Sequence, residues 1–184
     1  MKKILITGCN GNLAKTLIPV LTENNFYVIG CDIHKVNSDK TKNSTDLGLH
    51  KYFNCNLSKE KDITNFMSKI KTQNLFPQFL INNAAVDFVP SKNKIEDGLD
   101  MSDFDEIFKV NVKAPVILSK ICIDNWRINK VKGNIINISS IYSEISPDPK
   151  LYQKGFIKNI LYGITKSSLN SITKQLAVLT AQDK

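Results

Sequence analysis

An apolar run at residues 3–7 ends on Gly8 and passes through Gly11 into helical spacing over residues 12–24. A strand that turns at glycine straight into a helix aims that helix's unbonded N–H groups and positive end at one spot beyond the strand. Such a spot suits a phosphate, and Gly8-Cys9-Asn10-Gly11-Asn12-Leu13-Ala14 has the residue sizes to hold a dinucleotide pyrophosphate. Gly8 permits the tight turn, Gly11 lets a ligand approach the backbone, and Ala14 keeps helix and strand in contact. This arrangement calls for an acidic residue at the end of the next strand, and Asp32 stands there. Its carboxylate can accept both hydroxyls of an adenosine ribose and would repel a 2′-phosphate, which favours NAD over NADP. Lys35, three residues on, weakens that preference.

The alternation continues along the chain. Residues 26–31, 52–55, 79–81 and 135–138 read as further strands. Ser58 is expected to cap a helix with Ile63, Phe66, Met67 and Ile70 inward, the i, i+3, i+4, i+7 spacing of a half-buried helix. Ser102 is expected to cap a long helix with Phe104, Ile107 and Phe108 inward, running on to about residue 127. A last helix over residues 158–179 would bury Leu161, Ile164, Leu169, Ile172 and Leu176. Strands alternating with helices specify an α/β doubly wound parallel sheet, five strands in the order 3-2-1-4-5, with helices on both faces. No repeat or linker divides the 184 residues, so one dinucleotide-binding domain over residues 1–184 is expected. Pro19 predicts a kink in the first helix.

Charge and cysteine content narrow the function classes. The net charge of +8 would suit a nucleic-acid partner, but Arg127 is the only arginine and the lysines are scattered, so no such partner is expected. Cys9, Cys31, Cys55 and Cys122 show no C-x-x-C spacing and no histidine at metal-site intervals, and read as free, buried thiols. The same lack of spacing counts against a metal site at Cys9, Cys31 and Cys55, and no metal is expected. His34 and His50 read as solvated loop residues. No apolar run approaches the ~18 residues of a membrane span, and the start is too short in apolar residues for a signal peptide. The expected compartment is the cytoplasm, without membrane association.

Tyr162 and Lys166 stand four residues apart on the last helix and share a face. By themselves they read equally as an exposed helical pair, since Lys158 continues the stripe. They acquire meaning from their company. Thr7-Gly8-x-x-Gly11-x-x-Ala14, Asn82-Asn83-Ala84-Ala85, Asn111, Ile138-Ser139-Ser140 and Tyr162-Gly163-Ile164-Thr165-Lys166 occur in that order. Together they resemble the short-chain dehydrogenase/reductase family, over the whole chain, with its Rossmann fold and nicotinamide cofactor. The resemblance implies Asn111, Ser140, Tyr162 and Lys166 as a catalytic tetrad. It places Asn56 and Leu57 near the adenine, where the family usually has aspartate, and Asn83, Ala84 and Ala85 along the cofactor. With Gly8, Asn10, Gly11, Asn12, Leu13 and Asp32, and with Tyr162 and Lys166, these complete the cofactor set.

The chemistry agrees with those roles. A free tyrosine, with a pKa of ~10, is a poor base at neutral pH, and a nearby ammonium together with a positive nicotinamide ring would favour its ionised form. Lys166 could also hold the nicotinamide ribose, and Ser140 would orient the oxygen of an alcohol or carbonyl substrate. Pro115 has no N–H, so the Asn111 carbonyl loses its helical partner and is available to a water leading to Lys166.

Some features depart from the family pattern. The glycine spacing matches its extended, sugar-nucleotide-modifying branch, whereas residues 82–85 match the single-domain branch. Ser140 and Tyr162 are 22 residues apart, longer than usual, so residues 142–157 are expected to form a loop over the active site. This mixture resembles oxidoreductases of flagellin and surface-polysaccharide glycan synthesis and suggests a sugar-derived substrate. The family normally adds further strands and a substrate-binding segment after the point corresponding to Lys184, so a C-terminally incomplete domain with impaired turnover is expected. The alternatives are an NAD-binding sugar-nucleotide epimerase or dehydratase, and a catalytically silent cofactor-binding fragment. Val112, Val116, Ile117 and Ile121 add a second apolar side to the long helix. In this family such helices pair as a homodimer, and the same is expected here.

Overall fold

The computed structural model describes residues 1–34, 48–87, 98–152 and 157–183. Five strands, β1 (Lys2–Thr7), β2 (Phe26–Asp32), β3 (Lys51–Asn54), β4 (Phe79–Asn82) and β5 (Asn134–Asn137), form one sheet in the order β3-β2-β1-β4-β5. Every pairing is parallel, with Leu5 opposite Ile29 and Leu80, and Asn82 opposite Asn137. The expected doubly wound order is therefore observed. The helices are α1 (Asn12–Glu23), α2 (Glu60–Thr72), α3 (Phe104–Phe108), α4 (Ala114–Asn129) and α5 (Ile160–Leu179).

The two-residue period of the strands sorts their side chains into two cores. Leu5, Ile29 and Leu80 face α2 and α4, packing with Ile63, Phe66, Ile70, Leu118 and Trp126. Ile4, Ile6, Val28 and Ile81 face the other way, onto Ala14 and Ile18 of α1. Helix α1 continues through Pro19 without a break in its assignment.

Three expectations about helices need correction. Ser58 does not cap α2. Its N–H and hydroxyl both donate to Asn56 Oδ1, at 2.9 and 2.8 Å, closing a turn that delivers the chain to Glu60 with Lys59 as the cap residue. Ser102 does not cap the long helix either. Its N–H is taken by Asp100 Oδ1, and Asp103 occupies the cap position.

The long helix itself is interrupted. Between α3 and α4, residues Lys109–Lys113 form a π turn in which the Ala114 N–H reaches back five residues to the Lys109 carbonyl. Pro115 cannot donate to Asn111, and the wider turn lies where that bond would have closed the α-helical ladder. Phe104 is 41% exposed and stacks on Phe108 instead of facing inward.

The third correction concerns α5. It begins at Ile160 behind an Asn159 cap, so Lys158 lies outside the helix. Leu161 and Leu169 are buried as expected, but Ile164 is 42% exposed and Ile172 and Leu176 are only half-buried. The positions facing inward beside Leu161 are instead the polar Thr165 and Lys166.

All four cysteines are free and buried. Burial pushes the thiols of Cys9, Cys55 and Cys122 from 9.0 up to about 12, and that of Cys31 well above its usual value. An unfolded chain loses these protons near its ordinary thiol pKa while the folded chain keeps them. Their stabilising contribution is therefore complete below about pH 9 and declines above it, at about 1.4 kcal/mol per pH unit for each thiol. Urea unfolding under reducing conditions is expected to show a clear drop in midpoint between neutral pH and about pH 10. An unchanged midpoint would show that these thiols titrate normally in the fold.

Candidate active site

The carboxyl ends of the strands gather the residues with chemical potential. At the end of β1, Gly8 takes φ +63°, and a Cβ built there would lie 2.8 Å from Ala84 Cα. This is the left-handed region that side chains avoid, and the close approach of the β4 loop leaves no room for one. The Gly11 N–H donates to the Gly8 carbonyl at 3.0 Å, tightening the turn before α1. Gly11 supplies no capping side chain and the first turn of α1 has no acidic residue, so the helix presents its positive end to the space beyond the sheet.

The β4 loop is clasped to β1 by side chains. Thr7 Oγ1 accepts the N–H groups of Asn83 and Ala84, both at 3.0 Å. Asn83 Nδ2 donates back to the carbonyls of Thr7, at 2.8 Å, and Gly8, at 3.1 Å. At the end of β2, the Asp32 carboxylate accepts the Asn10 N–H on Oδ2 and the His34 N–H on Oδ1, each at 3.0 Å. A carboxylate has about four lone-pair positions, so acceptor capacity remains. Lys35 lies outside the described residues.

These loops enclose a cavity of about 630 Å³. Gly8, Asn10, Gly11, Asn12, Leu13, Asp32, Asn56, Leu57, Asn83, Ala84 and Ala85 all line it. Every residue of the expected cofactor set other than Tyr162 and Lys166 is thus brought to one wall. A second cavity of about 590 Å³ lies at the β5 edge among Trp126, Ile135 and Leu176. The two are similar in size, and only the first combines a glycine turn, a helix N-terminus and a strand-end carboxylate.

The remaining groups lie around α5. Ser140 lies beside the half-buried Tyr162 phenol, where its hydroxyl favours the ionised form. Lys166 is 3% exposed, its Nζ 5.6 Å from the centre of the Tyr162 ring and donating to the Ile138 carbonyl at 2.7 Å. Asn111 is buried, accepts the Val86 N–H at 2.8 Å, and donates to the Val86 carbonyl at 2.9 Å and to Thr165 Oγ1 at 3.1 Å. Thr165 in turn donates to the Tyr162 carbonyl at 2.8 Å. The four expected residues form one connected group, joined to the cavity through Val86.

Comparison with known proteins decides the lineage. The family model for short chain dehydrogenase matches residues 2–184. The chain belongs to the short-chain dehydrogenase/reductase family. It is 27% identical over 177 residues to dehydrogenase/reductase SDR family member 11 of Bos taurus, covering 94% of this chain and 65% of the relative. To 3-oxoacyl-(acyl-carrier-protein) reductase of Rickettsia prowazekii it is 32% identical over 168 residues, covering 90% and 64%. This short-chain dehydrogenase chain thus spans just under two thirds of these relatives. Among solved structures it is similar to 4-hydroxyisoleucine dehydrogenase complexed with NADH, with a TM-score of 0.80 and 27% identity over all of this chain and 71% of that one. A short chain dehydrogenase from Leptospira borgpetersenii with bound NAD+ also has a TM-score of 0.80, at 26% identity over 99% and 66% of the two chains.

Some features of this short-chain dehydrogenase site were not read from its sequence. Val86, Asp87, Glu106 and Val110 also line the cavity. Asp87 and Val86 follow the asparagine-alanine stretch and could have been included by adjacency, whereas nothing local marks Glu106. Thr165 lies inside a quoted motif, yet its bridging role depends on the fold. The protein's own surroundings favour the neutral phenol. Burial raises Tyr162 above its ordinary value and outweighs the opposing Ser140 hydrogen bond, while Asp87 raises it further. Burial lowers Lys166, against the pull of Asp87.

The clasp can be tested directly. Thr7→Val keeps the side-chain shape but removes the acceptor of two N–H groups. With unsatisfied buried donors costing about 1–3 kcal/mol, a loss of about 2 kcal/mol or more is expected in urea unfolding. A change below ~0.5 kcal/mol would show that water replaces the hydroxyl.

Proposed function

We propose that this chain is an NAD-dependent oxidoreductase acting on a secondary alcohol or ketone, with Tyr162 as the proton-transfer group. The observation that carries the reading is the Ser140–Tyr162–Lys166 cluster, linked through Asn111 and Val86 to a cavity lined by the glycine turn, the α1 N-terminus and Asp32. The cavity residues fit such a cofactor. Gly8 to Leu13 and the α1 N-terminus would hold a pyrophosphate, and Asp32 would hold the adenosine ribose hydroxyls. Asn83, Ala84 and Ala85 would line the path toward the reacting end. The NADH and NAD+ complexes of the two similar structures support a nicotinamide cofactor.

When bound, the cofactor supplies hydride chemistry at its nicotinamide. The protein's part is orientation and proton movement. Ser140 donates a hydrogen bond to the substrate oxygen and aligns it with the Tyr162 phenol. During oxidation the ionised phenol accepts the hydroxyl proton; during reduction the neutral phenol returns it to the carbonyl oxygen. Burial disfavours the ionised form, so the positive charges of Lys166 and of the oxidised nicotinamide would counter it. Lys166 would also hold the nicotinamide ribose, leaving its present bond to the Ile138 carbonyl. The Asn111 carbonyl, within the π turn, would hold a water that passes protons outward.

The substrate reading stays at the level of an alcohol or ketone. Two of the similar proteins are a 3-oxoacyl reductase and a 4-hydroxyisoleucine dehydrogenase, and the sugar-derived substrate rests only on the mixture of glycine spacing, residues 82–85 and the long Ser140–Tyr162 interval. Val116, Ile164, Val178 and Leu179 are 41–76% exposed on α4 and α5. They support a homodimer through these helices, and light scattering that gives a monomer at high concentration would refute it.

Two measurements test the main reading. NAD is expected to bind at least ~10-fold more tightly than NADP, a difference of ~1.4 kcal/mol, with Asp32→Ala narrowing the gap. Equal dissociation constants would refute the role of Asp32. Tyr162→Phe is expected to lower turnover by a factor of ~100 or more while NAD affinity changes little. Full activity in that variant would remove Tyr162 from the chemistry.

A further inference from the structure

Lys158 and Asp87 face the Tyr162 ring as an opposed charge pair that no catalytic role has yet absorbed. Lys158 lies two residues before α5, and its Nζ donates to Asp87 Oδ2 at 2.5 Å. The Lys158 side chain is 14% exposed and that of Asp87 34%, so the ammonium is largely shielded while the carboxylate keeps one side open to water. The same ammonium lies 5.0 Å from the centre of the Tyr162 ring, closer than Lys166 at 5.6 Å. On its other side it lies 5.7 Å from the Tyr142 ring, whose hydroxyl bonds to that of Tyr152. Asp87 stands in the β4 loop and lines the dinucleotide cavity. Two ammoniums therefore lie over the Tyr162 ring, and the nearer of them is paired with a carboxylate that lines the cavity.

We propose that Lys158 and Asp87 are positioning residues that set how readily Tyr162 releases its proton, Lys158 favouring the ionised phenol and Asp87 opposing it. The inference rests on the reading of Tyr162 as the proton-transfer group. A cation over the ring stabilises the spread charge of a phenolate more than a neutral phenol. Tyr162 also stands in the first turn of the 20-residue α5, where the helix end favours negative charge, so two independent features favour ionisation against the burial that opposes it. Asp87 counters both, and its influence is visible in the upward pull on Tyr162 and Lys166. Binding a cofactor against Asp87 would alter its access to water and its hold on Lys158, coupling cavity occupancy to the phenol.

Other charged groups on the packed elements are committed elsewhere. Among the described residues, Asp105 of α3 is mostly exposed and faces Lys109, and Lys113 of the π turn pairs with Glu60. Glu144, after β5, accepts from Asn170. Glu106 of α3 lines the cavity but is not among the groups that shift Tyr162. Ser140, beside the phenol, carries no charge.

The test reads the phenol itself, independently of turnover. The near-ultraviolet phenolate absorbance of the protein, minus that of its Tyr162→Phe counterpart, gives the titration of Tyr162 alone. Asp87→Asn leaves two cations unopposed and is expected to lower the Tyr162 midpoint by roughly one unit. Lys158→Met leaves the carboxylate unopposed and is expected to raise it by roughly one unit. Asp87→Asn/Lys158→Met should fall between them, and Lys158→Arg should restore the parental midpoint. The double variant also removes the pair without leaving either partner uncompensated, which guards against a fold lost through one unpaired charge. Midpoints that coincide across folded variants, or that move in the reverse order, would overturn the proposal and leave the pair as a structural tie. If the midpoints move as expected but Tyr162→Phe retains full activity, the charge pair stands and the catalytic reading of Tyr162 falls.

Discussion

The site depends on one small clasp, the Thr7 hydroxyl accepting two successive N–H groups from the β4 loop while Asn83 returns two bonds to the β1 end. Without it, two loops leaving neighbouring parallel strands would have buried backbone groups and no common geometry. With it, Ala84 is held so close to Gly8 that no Cβ fits between them. The glycine turn, the α1 N-terminus and the asparagine-alanine stretch thereby become one wall. The Asp32 carboxylate continues the wall by binding the Asn10 N–H, so β2 is tied to the same turn. Three strand ends are locked by side chains from those ends, independently of the helices that cover the sheet.

This arrangement explains why some parts were legible from sequence and others were not. Strand order follows from alternation and connection rules, which need only the hydrophobic pattern. The shared cavity wall follows because its residues are consecutive in short loops, where spacing in sequence is nearly spacing in space. Helix starts were less legible. Ser58 and Ser102 have the right type and place for caps, but Asn56 and Asp100, each two residues earlier, capture their N–H groups first. A carboxylate or amide at i−2 competes for the N–H that a helix start would leave open, and that competition is invisible to a pattern that scores each residue alone.

Burial on α5 shows a second limit. Hydrophobicity places Ile164 inside and Lys166 outside, and the structure reverses them. Lys166 goes inward because the Ile138 carbonyl receives its ammonium, and Thr165 because Asn111 and the Tyr162 carbonyl use its hydroxyl. A buried polar stripe needs partners from β5, the β4 loop and the π turn at once, and those are more than 25 residues away in sequence. Its cost in stability is limited by those hydrogen bonds, which hold the Lys166 ammonium inside the fold rather than in water. The same burial that positions Tyr162 also raises its pKa, so positioning and ionisation pull in opposite directions.

The π turn follows from the same conflict between local and distant demands. Asn111 must place its side-chain amide on Val86 and Thr165, two partners on different elements. In an unbroken α-helix the carbonyl of Asn111 would be tied to the residue four positions on, but that residue is Pro115 and has no N–H to give. The chain answers with a wider turn, closed by the Ala114 N–H on the Lys109 carbonyl, and resumes α-helix geometry at once. One missing donor therefore accounts for the break and for the orientation of the Asn111 side chain toward Val86 and Thr165. A proline usually weakens a helix where it stands. Here the helix survives on both sides because Leu118, Cys122 and Trp126 of α4 remain buried against the sheet, and that packing is what allows the turn to be spent on the site.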